Sequence, residues 1–178
     1  MMKRITLDMD DVLADTEGKL IDFAIREFTP NRNRHDFLQQ PMHQLLHAKQ
    51  LKKVDAYIHQ PGFFADIPVM EGAQEVVAQL TNYYEIFVAT AAMEFPNSFR
   101  EKYDWLKKHF PFIPWTNYVF CGHKSIISTD YLIDDRVTNL LACKGKSILF
   151  SAPHNLKETN FQRVSNWAEI ADLFLPVL

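Results

Sequence analysis

The stretch Arg4-Ile5-Thr6-Leu7-Asp8-Met9-Asp10-Asp11 decides the fold. Residues 4–9 read as a short strand that runs directly into three acids. From Asp15 to Phe28 the period becomes helical, with Leu20, Phe23, Ala24 and Phe28 on one face and Asp15 or Thr16 as the cap. A polar, basic break follows over residues 29–36, and a second helical pattern runs from His43 to His59, ended by Pro61-Gly62. Beyond it, strands and helices alternate. Gly72 to Tyr83 is a helix, Glu85 to Thr90 an almost continuously apolar strand, and Asn97 to Phe110 a helix. Strands are predicted at Asn117–Phe120, Tyr131–Ile133 and Lys146–Phe150, with helices at Val137–Cys143 and Trp167–Leu175. Such alternation predicts an α/β fold with a Rossmann-like parallel sheet and right-handed crossovers. The core would comprise residues 1–16 and 71–178. Residues 17–70, which show helices and no strand, would be a small helical cap inserted between the first and second core strands.

Composition sets the outer limits. The 178 residues include 19 Lys+Arg and 22 Asp+Glu, a formal charge of −3, so no global field attracts nucleic acid. With 47% hydrophobic and 23% charged residues, the chain is neither disordered nor collagen-like. An acid at position 8 precludes a signal-peptide core, and no run approaches the ~18 apolar residues of a membrane span. Cys121 and Cys143 are at no metal-ligand spacing and are expected as small core residues. The expectation is a cytoplasmic protein with neither nucleic acid nor membrane as partner. The sequence leaves open whether it works alone or as a homodimer.

In parallel α/β sheets, ligands bind beyond the carboxyl ends of the strands. There the sequence places Asp8, Asp10 and Asp11 after the first strand, Thr90 at the end of the second, Lys124 in the loop after the third, and Asp134-Asp135 at the fourth. Each is ordinary alone: an Asp-x-Asp caps turns, a loop lysine is solvated, an Asp-Asp pair is exposed. Together they converge. Five acids at one point repel one another and resist desolvation, and a hard cation relieves both. Oxygen donors without His or Cys favour Mg²⁺, which shares its coordination with substrate phosphate. Asp8 would attack phosphorus to give an aspartyl-phosphate, Asp10 would act as acid and then base, Thr90 and Lys124 would bind phosphate, and Asp134 and Asp135 would complete the metal site.

These residues resemble the four motifs of the haloacid dehalogenase superfamily of phosphohydrolases, in order. Asp8-Met9-Asp10-Asp11-Val12-Leu13-Ala14-Asp15 further resembles the opening of the 5'(3')-deoxyribonucleotidases, as do Pro61-Gly62-Phe63-Phe64, Glu101-Lys102-Tyr103-Asp104-Trp105, Leu132-Ile133-Asp134-Asp135-Arg136 and His154-Asn155. The resemblance implies Mg²⁺-dependent removal of phosphate from nucleoside monophosphates. It makes Asp8 the nucleophile and Asp10 the acid/base, places Asp8, the Asp10 carbonyl and Asp135 (or Asp134) around Mg²⁺, and gives phosphate binding to Thr90 and Lys124. Substrate-pocket positions would be Thr16, Ala91 and Arg136.

The chain departs from that pattern at Asp11, where animal members usually have Gly; at Thr16, often a Phe lining the nucleoside pocket; and at Ala91, where a Ser can hold phosphate. No Trp lies between Glu17 and Gly72, so the aromatic pair that packs on the base in the animal cap is missing. Phe23, Phe28, Phe37 or Tyr57 would have to supply a stacking face, although each also fits a cap core. His43 and His47 are four apart but lack a third ligand; Arg26, Arg32 and Arg34 read as a solvated loop; Arg136 is expected to pair with an acid and order the metal loop. Two other readings compete: a phosphatase for another small phosphate such as a sugar phosphate, and a phospho-acceptor signalling module. The second is opposed by the order of Lys124 before Asp134-Asp135 and by the cap.

Overall fold

A computed structural model describes residues 2–176. Its strands are β1 (Arg4–Asp8), β2 (Glu85–Thr90), β3 (Tyr118–Phe120), β4 (Tyr131–Asp134), β5 (Lys146–Phe150) and β6 (Gln162–Val164). All pair in parallel, in the order β3-β2-β1-β4-β5-β6. This is the doubly wound arrangement: the chain leaves β1 for β2 on one side and later adds β4 on the other, so β1 ends at the switch point where a crevice opens. The helices are α1 (Thr16–Phe28), α2 (Arg34–Gln39), α3 (Met42–Leu45), α4 (Ala48–Ile58), α5 (Ala73–Leu80), α6 (Ser98–His109), α7 (Val137–Ala142) and α8 (Trp167–Phe174). No helix among the described residues is long and apolar enough to cross a membrane.

The central strands are buried on both faces, which is why β1 and β2 read as near-continuous apolar runs. Ile5, Leu7, Ile133 and Ile148 join Val77, Leu80, Trp105 and Ile170 in one core. Two indoles also fasten loops: Trp167 Nε1 donates to the Val12 carbonyl at 2.9 Å, and Trp105 Nε1 to that of Ile67 at 2.7 Å. The first of these fixes the turn that follows the acids of β1.

α1–α4 lie between β1 and α5 and have a cluster of their own, built on Ile21, Ala24, Phe37, Leu46 and Val54. The four aromatics considered for base stacking are used here. Phe23 stacks on Tyr57 at 4.1 Å, Phe28 meets the edge of Phe23, and Phe37 is fully buried.

Three local expectations need correction. The basic break contains α2, whose start is capped reciprocally by Asn33 and Asp36. The helix predicted from His43 to His59 is two, α3 and α4, because Leu46 and His47 are extended; this turns Leu46 into the cluster, while Gln50 caps the His47 amide. Strand β6 was not predicted at all.

The two chain crossings between this segment and the sheet are tied together. Asp15 N donates to Pro68 O and Met70 N to Leu13 O, both at 2.8 Å, around an Ala14–Val69 bridge. At Pro61-Gly62 the turn is fastened to α6. The Glu101 carboxylate accepts from the Gly62 and Phe64 amides at 2.6 and 3.0 Å. Gly62 has φ +89°, a conformation that favours glycine.

Candidate active site

The carboxyl ends of β1, β2 and β4 bring the predicted side chains together. Asp8 closes β1, and its Oδ1 accepts from the Met9 amide and from Lys124 Nζ, each at 2.7 Å. Lys124, buried in a 3₁₀ turn after β3, bridges to Asp134 Oδ2 at 2.6 Å. Asp134 is fully enclosed, and its oxygens also accept from the Arg136 amide at 2.8 Å and Asn139 at 3.0 and 3.1 Å. Asp135 receives His154 Nε2 on Oδ2 at 3.2 Å. Its carbonyl accepts from Asn155 at 2.8 Å.

Asp10 sits two residues beyond Asp8, past the end of β1. Its Oδ1 accepts from the Thr16 hydroxyl at 2.9 Å, and its Oδ2 from Lys102 and, at 3.4 Å, from Thr90. Lys102 also donates to Thr90 Oγ1 at 2.9 Å and lies over the Phe64 ring. Asp11 holds the turn with φ +59°, a conformation that explains the glycine preference there and that Asp tolerates better than most residues.

The electrostatics separate the two acids of the first motif. Burial pushes Asp8 well above the ordinary carboxylate range; Lys124 opposes this, and Asp134, Asp135 and Asp10 reinforce it. Burial likewise raises Asp11 and Asp134. Asp10 is buried too, but Lys102 and the Thr16 hydrogen bond outweigh that effect and hold it below its ordinary value. Burial would lower Lys124, yet Asp8 and Asp134 hold it above normal, so it stays an ammonium.

A cation site fits this donor set. Oxygens of Asp8, Asp134 and Asp135 all lie within 4.8 Å of one another, and Asp135 Oδ1 is buried with no hydrogen-bond partner. An orphaned buried carboxylate oxygen is costly unless a cation meets it. Carboxylates alone select a hard ion. Both Asp134 oxygens are already engaged, so Asp8 and Asp135 have the freer ligand atoms.

The carboxylates form the floor of a cavity of about 110 Å³. Leu20, Ile58, Phe64 and Phe95 make an apolar wall; Thr16, Ala91 and Arg136 also line it. Arg136 meets Glu94 at 3.6 Å across the mouth, the acid pairing expected of it, while its amide caps Asp134. A larger hollow of about 470 Å³ at the opposite end of β2 is lined by Tyr84, Ile86 and Phe112, far from any of this chemistry.

Every residue singled out from the sequence as catalytic, phosphate-binding or metal-ligating therefore lies in one place. Thr16 does so in an unexpected way, bonded to Asp10. Lys102 was missed. Its signal was present: it shares a helix face with Trp105 and Leu106, an odd position for a lysine with no partner. Asn139, which holds Asp134, was missed as well.

Residues 2–177 match the family model described as "5' nucleotidase, deoxy (Pyrimidine), cytosolic type C protein". The chain belongs to the cytosolic type C 5'-nucleotidase family. A 5'(3')-deoxyribonucleotidase of Bacillus subtilis strain 168 is 39% identical over 171 residues, covering 96% of this chain and 97% of the relative. A Staphylococcus epidermidis relative is 42% identical over 172 residues, covering 97% and 96%. Among solved structures, a haloacid dehalogenase-like family hydrolase of Streptococcus pneumoniae superposes with a TM-score of 0.62 at 12% identity, over 97% of this chain and 98% of that one. A haloacid dehalogenase-like protein of Bacillus subtilis, described as bound to magnesium, gives 0.59 at 12% identity, over 97% and 98%. The chain is thus a nucleotidase of haloacid dehalogenase-like fold, a hydrolase of phosphoric monoesters, and nucleoside monophosphates are the substrate class that this family implies.

Proposed function

We propose that this nucleotidase is a Mg²⁺-dependent 5'(3')-deoxyribonucleotidase that works through an aspartyl-phosphate on Asp8. The observation that carries the reading is the pairing of Asp8 and Asp10 on the floor of a cavity whose wall is Leu20, Ile58, Phe64 and Phe95. Phosphate chemistry lies below and an apolar surface suited to a nucleoside lies above, which favours a nucleotide over a sugar phosphate.

Asp8, Asp135 and the Asp10 carbonyl would hold Mg²⁺, with Asp134 behind them. The bound ion would supply the positive charge that lets a carboxylate approach an anionic phosphate. Lys124 adds its own charge and fixes Asp8. The Asp8 oxygen forms a bond to phosphorus as the bond to the ester oxygen breaks, and Asp10 protonates the leaving alkoxide. The resting site holds Asp10 ionised; an arriving phosphate dianion raises its proton affinity, and the proton it then donates is taken up from solvent. In the second half, Asp10 takes a proton from the water that displaces phosphate from Asp8. The 3.4 Å contact of Thr90 with Asp10 is long, leaving that hydroxyl free to donate to a phosphate oxygen. Residues 17–70 would act as the cap that closes over the substrate and excludes water.

The test is phosphate release from deoxy- and ribonucleoside 5'- and 3'-monophosphates beside sugar phosphates, with Mg²⁺ or chelator. Mg²⁺-dependent preference for deoxynucleotides supports the reading; activity confined to sugar phosphates refutes it.

The same site has a thermodynamic signature. Asp8, Asp11 and Asp134 have raised folded-state values, so as pH rises above the ordinary carboxylate range the folded site holds protons that the unfolded chain has already released. The site's contribution to stability in chelator therefore falls as pH rises, opposed by the lowered Asp10 within it and by the lowered Asp22, Glu158 and His109 elsewhere. Adding Mg²⁺ should raise the melting temperature more at pH 7 than at pH 5. Calorimetry showing stability rising with pH in chelator would contradict this.

A further inference from the structure

We propose that Thr16 is a positioning residue that aims the Asp10 carboxylate and couples it to the helical segment above the site. The inference rests on the Asp8/Asp10 mechanism just described. It begins with a division of labour at Asp10. Lys102 and Thr90 share Oδ2, whereas among the described residues Oδ1 has one hydrogen-bond partner, the Thr16 hydroxyl at 2.9 Å. A carboxylate held at one oxygen still rotates about its Cβ–Cγ bond; held at both, it has one orientation. General acid–base chemistry depends on that orientation, since the transferring oxygen must lie within hydrogen-bond reach of the leaving group.

The backbone explains how a residue six positions away reaches Asp10. Asp11 takes a left-handed conformation, and the Asp11 amide donates to Ala14 O at 2.8 Å, so the chain doubles back. The turn is fixed again from the other side, because Asp11 Oδ1 accepts from the Glu17 amide at 2.7 Å. Two adjacent residues at the start of α1 are therefore bonded to two adjacent acids, Thr16 to Asp10 and Glu17 to Asp11. Thr16 is 5% exposed and is the first residue of α1. Any shift of α1 is transmitted to Asp10 through one hydroxyl. A hydroxyl suits this position because it donates to a carboxylate and accepts from a carboxylic acid, so the contact survives both halves of the reaction, which an ammonium cannot manage. A Phe at this position lacks that atom, so here the departure from the family pattern adds a contact.

The experiment compares wild type, Thr16→Val and Thr16→Ser on two leaving groups. An alkyl ester such as dUMP needs its leaving oxygen protonated; 4-nitrophenyl phosphate does not. Because kcat/KM reports the first chemical step, Thr16→Val should lower it about 10- to 100-fold for dUMP and under about 3-fold for the aryl ester, with little change in KM. Thr16→Ser should return to within about 3-fold of wild type on both. Equal losses on the two esters, no loss on either, or failure of Ser to rescue a folded protein would overturn the proposal. A wild type that hydrolyses glycerol phosphate and no nucleotide refutes the substrate reading alone, and the Thr16 comparison is then read on glycerol phosphate. A wild type inactive on every ester refutes both.

Discussion

Asp8→Asn is expected to lower turnover on the order of 10⁵-fold while leaving the protein folded. The amide nitrogen has no lone pair available for attack and the amide oxygen is a poor nucleophile, so the covalent route closes. The stability side is the less obvious half. Burial and the neighbouring acids make ionised Asp8 costly in the fold. An isosteric amide removes that cost, retains an acceptor for the Met9 amide, and leaves Lys124 paired with Asp134. In chelator the variant should therefore melt no lower than wild type, by a margin that grows as pH rises. With Mg²⁺ the order reverses, because the variant has lost a charged ligand. Steady-state rates beside thermal melts, each with and without Mg²⁺, check both halves; retained turnover in a folded variant would remove Asp8 from the mechanism.

Lys124→Met is expected to damage stability as well as rate. Lys124 Nζ lies between Asp8 at 2.7 Å and Asp134 at 2.6 Å, all three buried. Removing the ammonium leaves two carboxylates without their counter-ion, a loss of about 3–5 kcal/mol for a buried pair. The two groups escape part of that cost by taking up protons. The variant's deficit should therefore be smallest near pH 5 and grow as pH rises and both carboxyls ionise. Turnover should fall at least ~10³-fold, since one fixed positive charge facing the developing transition state is gone. Urea unfolding at pH 5 and pH 7.5 reads the stability; a free energy within about 1 kcal/mol of wild type at both would show that the triad contributes little.

Much of this is legible in the amino-acid sequence alone. An apolar run that stops at a polar side chain is a one-dimensional pattern, and such stops at Asp8, Thr90 and Asp134, with Lys124 in the loop after the third strand, fall on one sheet edge of a parallel α/β order. That is why the sequence alone brings Asp8, Asp10, Thr90, Lys124, Asp134 and Asp135 to one place, where the structure also has them. What escaped was of three kinds. β6 is three residues at a sheet edge, too short to show a period. α2 lies in a polar stretch whose helix signal is the Asn33/Asp36 reciprocal cap rather than an apolar face. Lys102 and the apolar wall depend on tertiary packing. α6 carries Lys102 inward among residues that read as core, and Phe64 and Phe95 meet from two separate loops, the first fastened to α6 through Glu101. The aromatics that the sequence offered for stacking, Phe23, Phe28, Phe37 and Tyr57, satisfy the helical segment's own need for a core, which any four-helix insertion must meet first.

The most direct test of the account is to look for phosphate on Asp8. Turnover of a labelled nucleoside monophosphate with Mg²⁺ is stopped with acid, the protein is reduced with borohydride, and the peptides are mapped. The account predicts an acyl phosphate that borohydride converts to homoserine at position 8, absent without substrate and absent in Asp8→Asn. Sustained turnover with no modification at Asp8, or with the modification at another residue, would contradict it.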